Sequence, residues 1–232
     1  MTRPSRRTFL RQAAAAGIAA SFTISGTKSS GKVLGANDTV RVGVAGVRGR
    51  GGDHINEFLK LPGVQVTHLI DPDSRVFAGR IAQVKKLGGN TPKCFQDIRQ
   101  ALEDKDLDAV SVATCNHWHS LITIWACQAG KDVYVEKPCS HNIREGRKLV
   151  EAARKYDRIV QHGTQRRTDP QWIQLVNDVR SGKYGKLLVS YGYASRTRLS
   201  IGTKEPQEPP REVDFDLWLG PAPVQPFRTN LV

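Results

Sequence analysis

Two short stretches and one ten-residue turn hold most of the residue types able to do chemistry. The turn is GVAGVRGRGG, Gly43 to Gly52, in which Gly46-Val47-Arg48-Gly49-Arg50-Gly51 satisfies G-x-G-x-x-G at its first and third glycines and carries Arg48 at the second. Such a turn suits a diphosphate. The first glycine permits a tight bend, the third lets helix and strand approach, and N–H groups at the helix start face the anion. Only the middle position concerns close backbone approach, so Arg48 must either point outward or lay its guanidinium along the phosphates, and the second is expected. The two stretches are Thr114-Cys115-Asn116-His117-Trp118-His119 and Tyr134-Val135-Glu136-Lys137-Pro138. A lysine in a partly dry cleft can exchange protons with a reacting group, whereas an isolated one between Glu136 and Pro138 is equally a surface cation paired with the glutamate. His117 and His119 are two residues apart and point in different directions, so they form no i, i+4 metal pair. Cys94, Cys115, Cys127 and Cys139 lack C-x-x-C spacing, so free thiols and no metal site are expected.

These groups can cooperate only on a scaffold that brings them to one rim. Short β-branched runs alternate with segments of helical period, the pattern of parallel strands joined by crossover helices. Strands are expected at 40–45, 64–70, weakly at 93–95, at 109–113, 132–135 and 158–161; helices at 53–61, 73–87, 97–103, 118–128 and 143–155. In the last helix Ile143, Leu149, Val150 and Ala153 form one apolar stripe, and Trp118 and Trp125 lie seven apart on a face suited to packing. The fold class is α/β: a doubly wound parallel sheet, a Rossmann-type NAD(P)-binding domain over 37–165. Both chemical stretches then follow carboxyl ends of strands, where open α/β sheets bind ligands. Asp71 lies 20 residues after Gly51 and closes the second strand, where its carboxylate can accept hydrogen bonds from the adenosine ribose. A carboxylate there repels a 2′-phosphate and favours NAD, with NADP not excluded because Ser74 and Arg75 follow; Asp71 in Asp71-Pro72-Asp73 also reads as an ordinary turn residue.

Composition narrows the partners. Of the formal +13, six positive charges (Arg3, Arg6, Arg7, Arg11, Lys28, Lys32) fall in 1–36 with no acid among them, leaving +7 for the remainder. From Lys85 to Lys204 basic residues alternate with acids and lack interleaved aromatics, a solvated surface and no nucleic-acid track. Residues 1–36 read as a leader. Arg6-Arg7-Thr8-Phe9-Leu10 followed by the mildly apolar Ala13 to Ile24 resembles a twin-arginine export signal, which implies a periplasmic or cell-envelope destination; a disordered basic tail is the alternative. The apolar run is too short for a stable membrane span.

Thr114 to His119, the Glu136-Lys137-Pro138 turn, the Ala109 and Gly130-Lys131-Asp132 spacing, and Asp214-Phe215-Asp216-Leu217-Trp218-Leu219-Gly220-Pro221 together resemble the Gfo/Idh/MocA oxidoreductase family, in its exported, sugar-related branch. The resemblance covers about Thr39 to Arg166 and continues into the 214–221 stretch. It implies that Lys137 sits beside the nicotinamide and the substrate hydroxyl as the catalytic group, that Glu136 is its acidic neighbour in the cofactor cleft, and that Pro138 is the turn proline, often preceded by a cis peptide. It implies further that Thr114, Asn116 and His119 line the ribose and nicotinamide side, and that Gln165 and Arg166 lie near the nicotinamide ring. The cofactor set is thus Gly46, Arg48, Gly49, Arg50, Gly51, Asp71, Thr114, Asn116, His119, Glu136, Lys137, Gln165 and Arg166. Cys115 stands where the family usually has proline, which opens the question of the loop path.

After Arg166 a helix is expected at 170–180 and an alternating strand at Leu187 to Tyr193, with prolines from Pro206 to Pro226 excluding regular structure from most of the C-terminal stretch. The resemblance makes 166–232 the start of a second α/β domain whose large sheet contributes an Asp-x-x-x-His pair absent from this chain, so a truncated gene, a fragment or a cut record is the expectation; a complete second domain would allow a homo-oligomer. Three activities arise as expectations. The first is NAD(P)-dependent hydride transfer with a small sugar- or polyol-like alcohol. The second is a dinucleotide-binding remnant without turnover. The third is glycoside hydrolysis through transient oxidation by retained NAD, as in some exported relatives.

Overall fold

Val40–Ala45 forms β1, with Val40, Val42 and Val44 on one face of the sheet and Arg41, Gly43 and Ala45 on the other, as the pleat requires. The computed structural model describes residues 39–193 and 199–231; the leader expected over 1–36 lies outside the described residues. The further strands are β2 (Val64–Ile70), β3 (Lys93–Phe95), β4 (Ala109–Val112), β5 (Asp132–Glu136) and β6 (Val160–Gly163). All pair in parallel, in the order β3-β2-β1-β4-β5-β6. That is the doubly wound arrangement expected, with the strand order reversing between β1 and β4.

Helices α1 (Gly49–Phe58), α2 (Phe77–Gly88), α3 (Ile98–Leu102), α4 (His119–Gln128) and α5 (Ile143–Lys155) cover the sheet. Neighbouring strand residues feed opposite layers: Val44 and Leu69 pack with Ile55 and Val84 on one face, while Ala45 and Ile70 pack with Val110, Val112, Ile122 and Val135 on the other. Trp118 and Trp125 pack with ring centroids 5.8 Å apart, as their spacing suggests.

Several boundaries differ from the sequence expectations. The first helix begins at Gly49, four residues before Asp53, so the glycine turn itself supplies the helix's first turn. The last strand runs over 160–163, two residues later than expected, because Asp157 at φ +51 extends the turn that leaves α5. Ile143 is 93% exposed and Val150 is exposed, so the α5 stripe is narrower than its pattern, with Leu149 and Ala152 buried. Ile143 opens the helix after the Asn142 cap, whose side chain accepts from the Glu145 amide, and so lies beyond the core. The helix α6 (Pro170–Arg180) forms as expected, but Leu187 to Tyr193 does not pair as a strand. Its apolar residues are exposed, and among the described residues no strand lies beside it to complete a ladder.

The described chain then returns to the parallel sheet. Val213 makes an isolated antiparallel bridge with Asp73, and a short helix, α7 (Phe215–Leu219), comes after an Asp214 cap whose side chain accepts from the Leu217 amide. Among the described residues no helix is long and apolar enough to cross a membrane.

Candidate functional site

At the end of β1 the chain turns through Gly46 at φ +79, a region costly for any residue with a Cβ. A Cβ at Gly46 would lie 2.6 Å from the Ala113 carbonyl oxygen and the Thr114 nitrogen, and one at Gly51 would lie 1.8 Å from the Gly46 carbonyl oxygen. Gly51 therefore packs directly against the turn that leaves β1. Gly49 faces open space, with nothing within 4 Å of the position a Cβ would take. The Arg48 cap residue offers no side-chain cap to α1, and the first turn holds no acid. By helix geometry the N–H groups of Gly49, Arg50 and Gly51 have no acceptor inside the helix; the first in-helix bond to the turn is Gly52 N–H to the Arg48 carbonyl, 2.8 Å. The result is a concave, positively polarised cradle for an anion.

Asp71, at the end of β2, accepts from the Val47 amide and the Asp73 amide, each at 3.0 Å, and so ties the glycine turn to the neighbouring strand end. Burial pushes its carboxyl above the ordinary range, against those two hydrogen bonds and the Arg48 charge. Arg48 pairs with Asp73. The guanidinium expected along the phosphates thus has a carboxylate partner on the β2 side, a competitor that the local sequence does not reveal. Asp73 is also gripped by Arg75 through contacts of 2.8 Å, and that bond, with the Arg48 charge, holds its carboxyl below the usual range.

Beside this turn lies a cavity of about 270 Å³ lined by Gly46, Arg48, Gly49, Arg50, Asp71, Thr114 and Cys115, with apolar walls that include Ile70, Ile98 and Trp118. Cys115 adopts φ −63°, the value that proline would fix. A proline could stand at this position without a change of φ.

A second cluster forms on the other side of Arg50. Glu136, ending β5 and 4% exposed, accepts from Arg50 Nε at 2.9 Å, faces His54 Nε2 at 3.1 Å and accepts from Gln165 Nε2 at 3.3 Å, all at Oε1, while its Oε2 accepts from the Lys137 amide at 3.2 Å. His54 Nδ1 meets Ser111 Oγ at 2.7 Å. Burial works to raise the Glu136 carboxyl, but the Arg50, His54 and Lys137 hydrogen bonds outweigh it and hold the group below its ordinary range. Gln165 sits at φ +32, an uncommon conformation for a residue with a side chain. Its side chain bonds the same carboxylate oxygen. Sequence reasoning misses His54 and Ser111. Once α1 is known to start at Gly49, Arg50 and His54 stand four apart on one face and both reach Glu136.

Lys137 comes directly after this cluster, and the Lys137–Pro138 peptide is cis. Its side chain is exposed, so the partly dry cleft expected around it is not formed by the described residues. His119 also departs from expectation. It is 1% exposed, with Nδ1 2.7 Å from the Pro138 carbonyl and Nε2 3.0 Å from the Thr114 carbonyl. In the structure it ties together the two loops that carry Thr114 and Lys137. Asn116 is exposed in a 3₁₀ turn, and Arg166 pairs with Asp169 at 3.2 Å beside α6, so neither joins the cavity or the Glu136 cluster. Among the described residues no group of three or more His, Cys, Asp or Glu converges as a metal site.

Residues 40–164 match the GFO_IDH_MocA family, described as the oxidoreductase family with an NAD-binding Rossmann fold. The chain belongs to this family. A glycosyl hydrolase family 109 protein of Shewanella pealeana is 30% identical over 167 residues, 70% of this chain and 37% of its own length. Inositol 2-dehydrogenase of Leifsonia xyli is 34% identical over 155 residues, 66% of this chain and 44% of its own length. The crystal structure of scyllo-inositol dehydrogenase from Lactobacillus casei with bound NAD(H) and scyllo-inositol shares the fold, with a TM-score of 0.56 at 22% identity over 63% of this chain and 42% of that one. The chain spans less than half the length of each of these three relatives. NAD is the Gfo/Idh/MocA family's cofactor, and the residues present fit it: Gly51 and Gly46 leave no room for a Cβ, the helix-start amides are free within the helix, and Gly49 opens to empty space.

The buried histidines give the fold a pH dependence with a defined sign. Burial pushes both His54 and His68 below their ordinary value, against the carboxylates of Glu136 and Asp104 that face them. An unfolded histidine takes its proton near pH ~6.5, while the folded ones take theirs only at lower pH. Below that point the unfolded chain binds more protons, so stability falls with pH by up to about 1.4 kcal/mol per pH unit for each histidine. Glu136, held low, adds a further loss only below about pH 4. The melting temperature should be level between about pH 7 and pH 8 and decline from about pH 6.5 downward; a level profile to about pH 5 would contradict this assignment.

Proposed function

We propose that this chain binds NAD across the β1/β4 switch point and serves oxidation of a secondary alcohol of a polyol or sugar. The observation that carries the reading is the continuity of two half-sites: Arg50 lines the cavity beside the glycine turn and also bonds Glu136, the residue before Lys137. When bound, NAD supplies the hydride acceptor. The chain's own part is divided. The amides of Gly49, Arg50 and Gly51 would hold the diphosphate, Asp71 would face the ribose hydroxyls, and Lys137, as the uncharged amine, would accept the hydroxyl proton while the alcohol carbon gives up its hydride and becomes a carbonyl. Arg50 and His54 fix Glu136, and the Lys137 amide bond to Glu136 fixes the turn from which the amine projects. Asp71 also sets the preference for NAD over NADP, since a 2′-phosphate would meet its carboxylate.

The similarity to the glycosyl hydrolase family 109 protein supports a second reading, in which the same oxidation is transient and NAD is regenerated within a glycoside-cleaving cycle. One experiment separates the two. Purified protein is given NAD with myo-inositol, scyllo-inositol and a panel of free sugars, then with aryl glycosides without added NAD, while NADH absorbance and aglycone release are monitored. Stoichiometric NADH from a polyol supports the dehydrogenase. Aglycone release without net NADH supports the hydrolase. Neither product, with NAD bound, contradicts both and leaves a binding protein.

A further inference from the structure

The cavity beside the glycine turn has a wall that the nucleotide-binding fold does not supply. Leu217, Trp218 and Leu231 line it together with residues from the ends of β1, β2 and β4. The segment that brings them is fastened on two sides. On the β2 side the Ser74 amide donates to the Glu212 carbonyl at 3.0 Å, the Asp214 amide donates to the Pro72 carbonyl at 2.9 Å, and Val213 bridges Asp73. On the β4 side Trp118 Nε1 donates to the Leu217 carbonyl at 2.9 Å, and His117 Nε2 lies 3.1 Å from the Trp218 carbonyl. Val213 and Leu219 within the segment are buried, as is Phe227. The Phe215 ring stacks on Trp218 with centroids 5.5 Å apart and planes 15° from parallel, and Phe227 meets Phe215 edge-on at 5.2 Å. Gly220 passes so close to the Trp118 ring that a Cβ there would lie 2.2 Å from it. A strap so held has one position over the cavity.

The cavity also has a defined place along the dinucleotide. Its lining comes from the ends of β1, β2 and β4 and the start of α3, whereas Lys137 lies past the end of β5 on the other side of the switch point. With the diphosphate on α1 and the reacting ring directed to Lys137, the adenosine half falls in the cavity. Its mostly apolar walls, with the polar groups of Gln96 and Asp97 among them, suit a flat heterocycle.

We propose that residues 211–220 form a built-in strap that closes the adenosine half of the NAD site, with Trp218 as an adenine-contacting residue that governs retention of the cofactor. This rests on the NAD reading above. The test measures the affinity and release rate of NAD, ADP-ribose and nicotinamide mononucleotide on the parent, Trp218→Ala and Trp218→Phe proteins. Loss of one base–aromatic contact should weaken NAD and ADP-ribose alike by roughly tenfold in Trp218→Ala, with faster release. Trp218→Phe should recover most of the loss, and nicotinamide mononucleotide should bind equally to all three. Equal ADP-ribose affinity in the parent and Trp218→Ala overturns the strap assignment while leaving NAD binding intact; a parent that binds no NAD overturns both. A second readout covers a poorly folding variant. Tryptic cleavage of the parent at the exposed Arg211 should slow severalfold with ADP-ribose and not with nicotinamide mononucleotide, and unchanged cleavage overturns the proposal.

Discussion

Gly51→Ala should weaken NAD binding by up to roughly a hundredfold and lower the melting temperature, while Gly49→Ala should leave the fold near the parent's stability. The two glycines lie two residues apart in one turn, and both substitutions add a single methyl group. At Gly51 the methyl would stand 1.8 Å from the Gly46 carbonyl oxygen, a backbone atom with no flexible end to swing aside. Either α1 moves away from β1 or Gly46 leaves the conformation that places the next amides. Overpacking of this kind costs about 3 kcal/mol. A bound diphosphate requires the undistorted turn, so whatever part of that strain the free protein relieves by moving the turn is restored on binding, a loss in affinity of up to roughly a hundredfold. At Gly49 nothing lies within 4 Å of the added methyl. Thermal melting and calorimetric titration of both variants check the pair. Equal stability and NAD affinity in Gly51→Ala and the parent would contradict the cradle described for α1.

Lys137→Met should reduce alcohol-dependent NADH formation by about a thousandfold, within the range for loss of a proton-transferring side chain. The same substitution should leave melting and NAD affinity almost unchanged, because Lys137 is exposed and only its backbone amide bonds the buried Glu136. The split between turnover and cofactor affinity is the informative part. A structural lysine would lower both or neither, whereas a proton acceptor lowers turnover alone. Added methylamine should partly restore a Lys137→Ala protein by occupying the vacated place. Turnover in Lys137→Met within a few-fold of the parent would remove the lysine from the chemistry and return it to the reading of a surface cation beside a glutamate.

Much of the scaffold is readable because parallel strands buried on both faces are written as short β-branched runs. Val40–Ala45 and Val64–Ile70 coincide with their expected ranges. The glycine turn is not readable as helix, since its first four residues carry no apolar period. The pattern therefore places the helix start at Asp53, and that error hides a functional relation: Arg50 and His54 become neighbours on one face only when α1 begins at Gly49. Ser111 is hidden for a different reason. A lone serine inside a strand has no pattern of its own, and its pairing with His54 joins residues 57 apart in sequence.

Other differences arise from tertiary competition for polar atoms. His119 is expected in the cleft from the family resemblance, yet two backbone carbonyls capture its ring. Arg48 is expected to seek phosphate, yet Asp73 is within its reach at the end of β2. Leu187 to Tyr193 alternates as a strand should, but alternation describes which faces a strand would present and not whether another strand pairs with it. The strap over the cavity is visible in the sequence only as a family likeness in Asp214 to Pro221. Proline density makes that region read as loop, and its contacts with Asp73, His117 and Trp118 span about a hundred residues or more.

The most direct test of the NAD site is a crystal structure of the protein soaked with NAD. The diphosphate should appear against the amides of Gly49, Arg50 and Gly51, with the adenosine in the cavity beside Asp71 and Trp218 and the nicotinamide directed toward Lys137. Density for the nucleotide at any other surface, with the glycine turn bare, would contradict it.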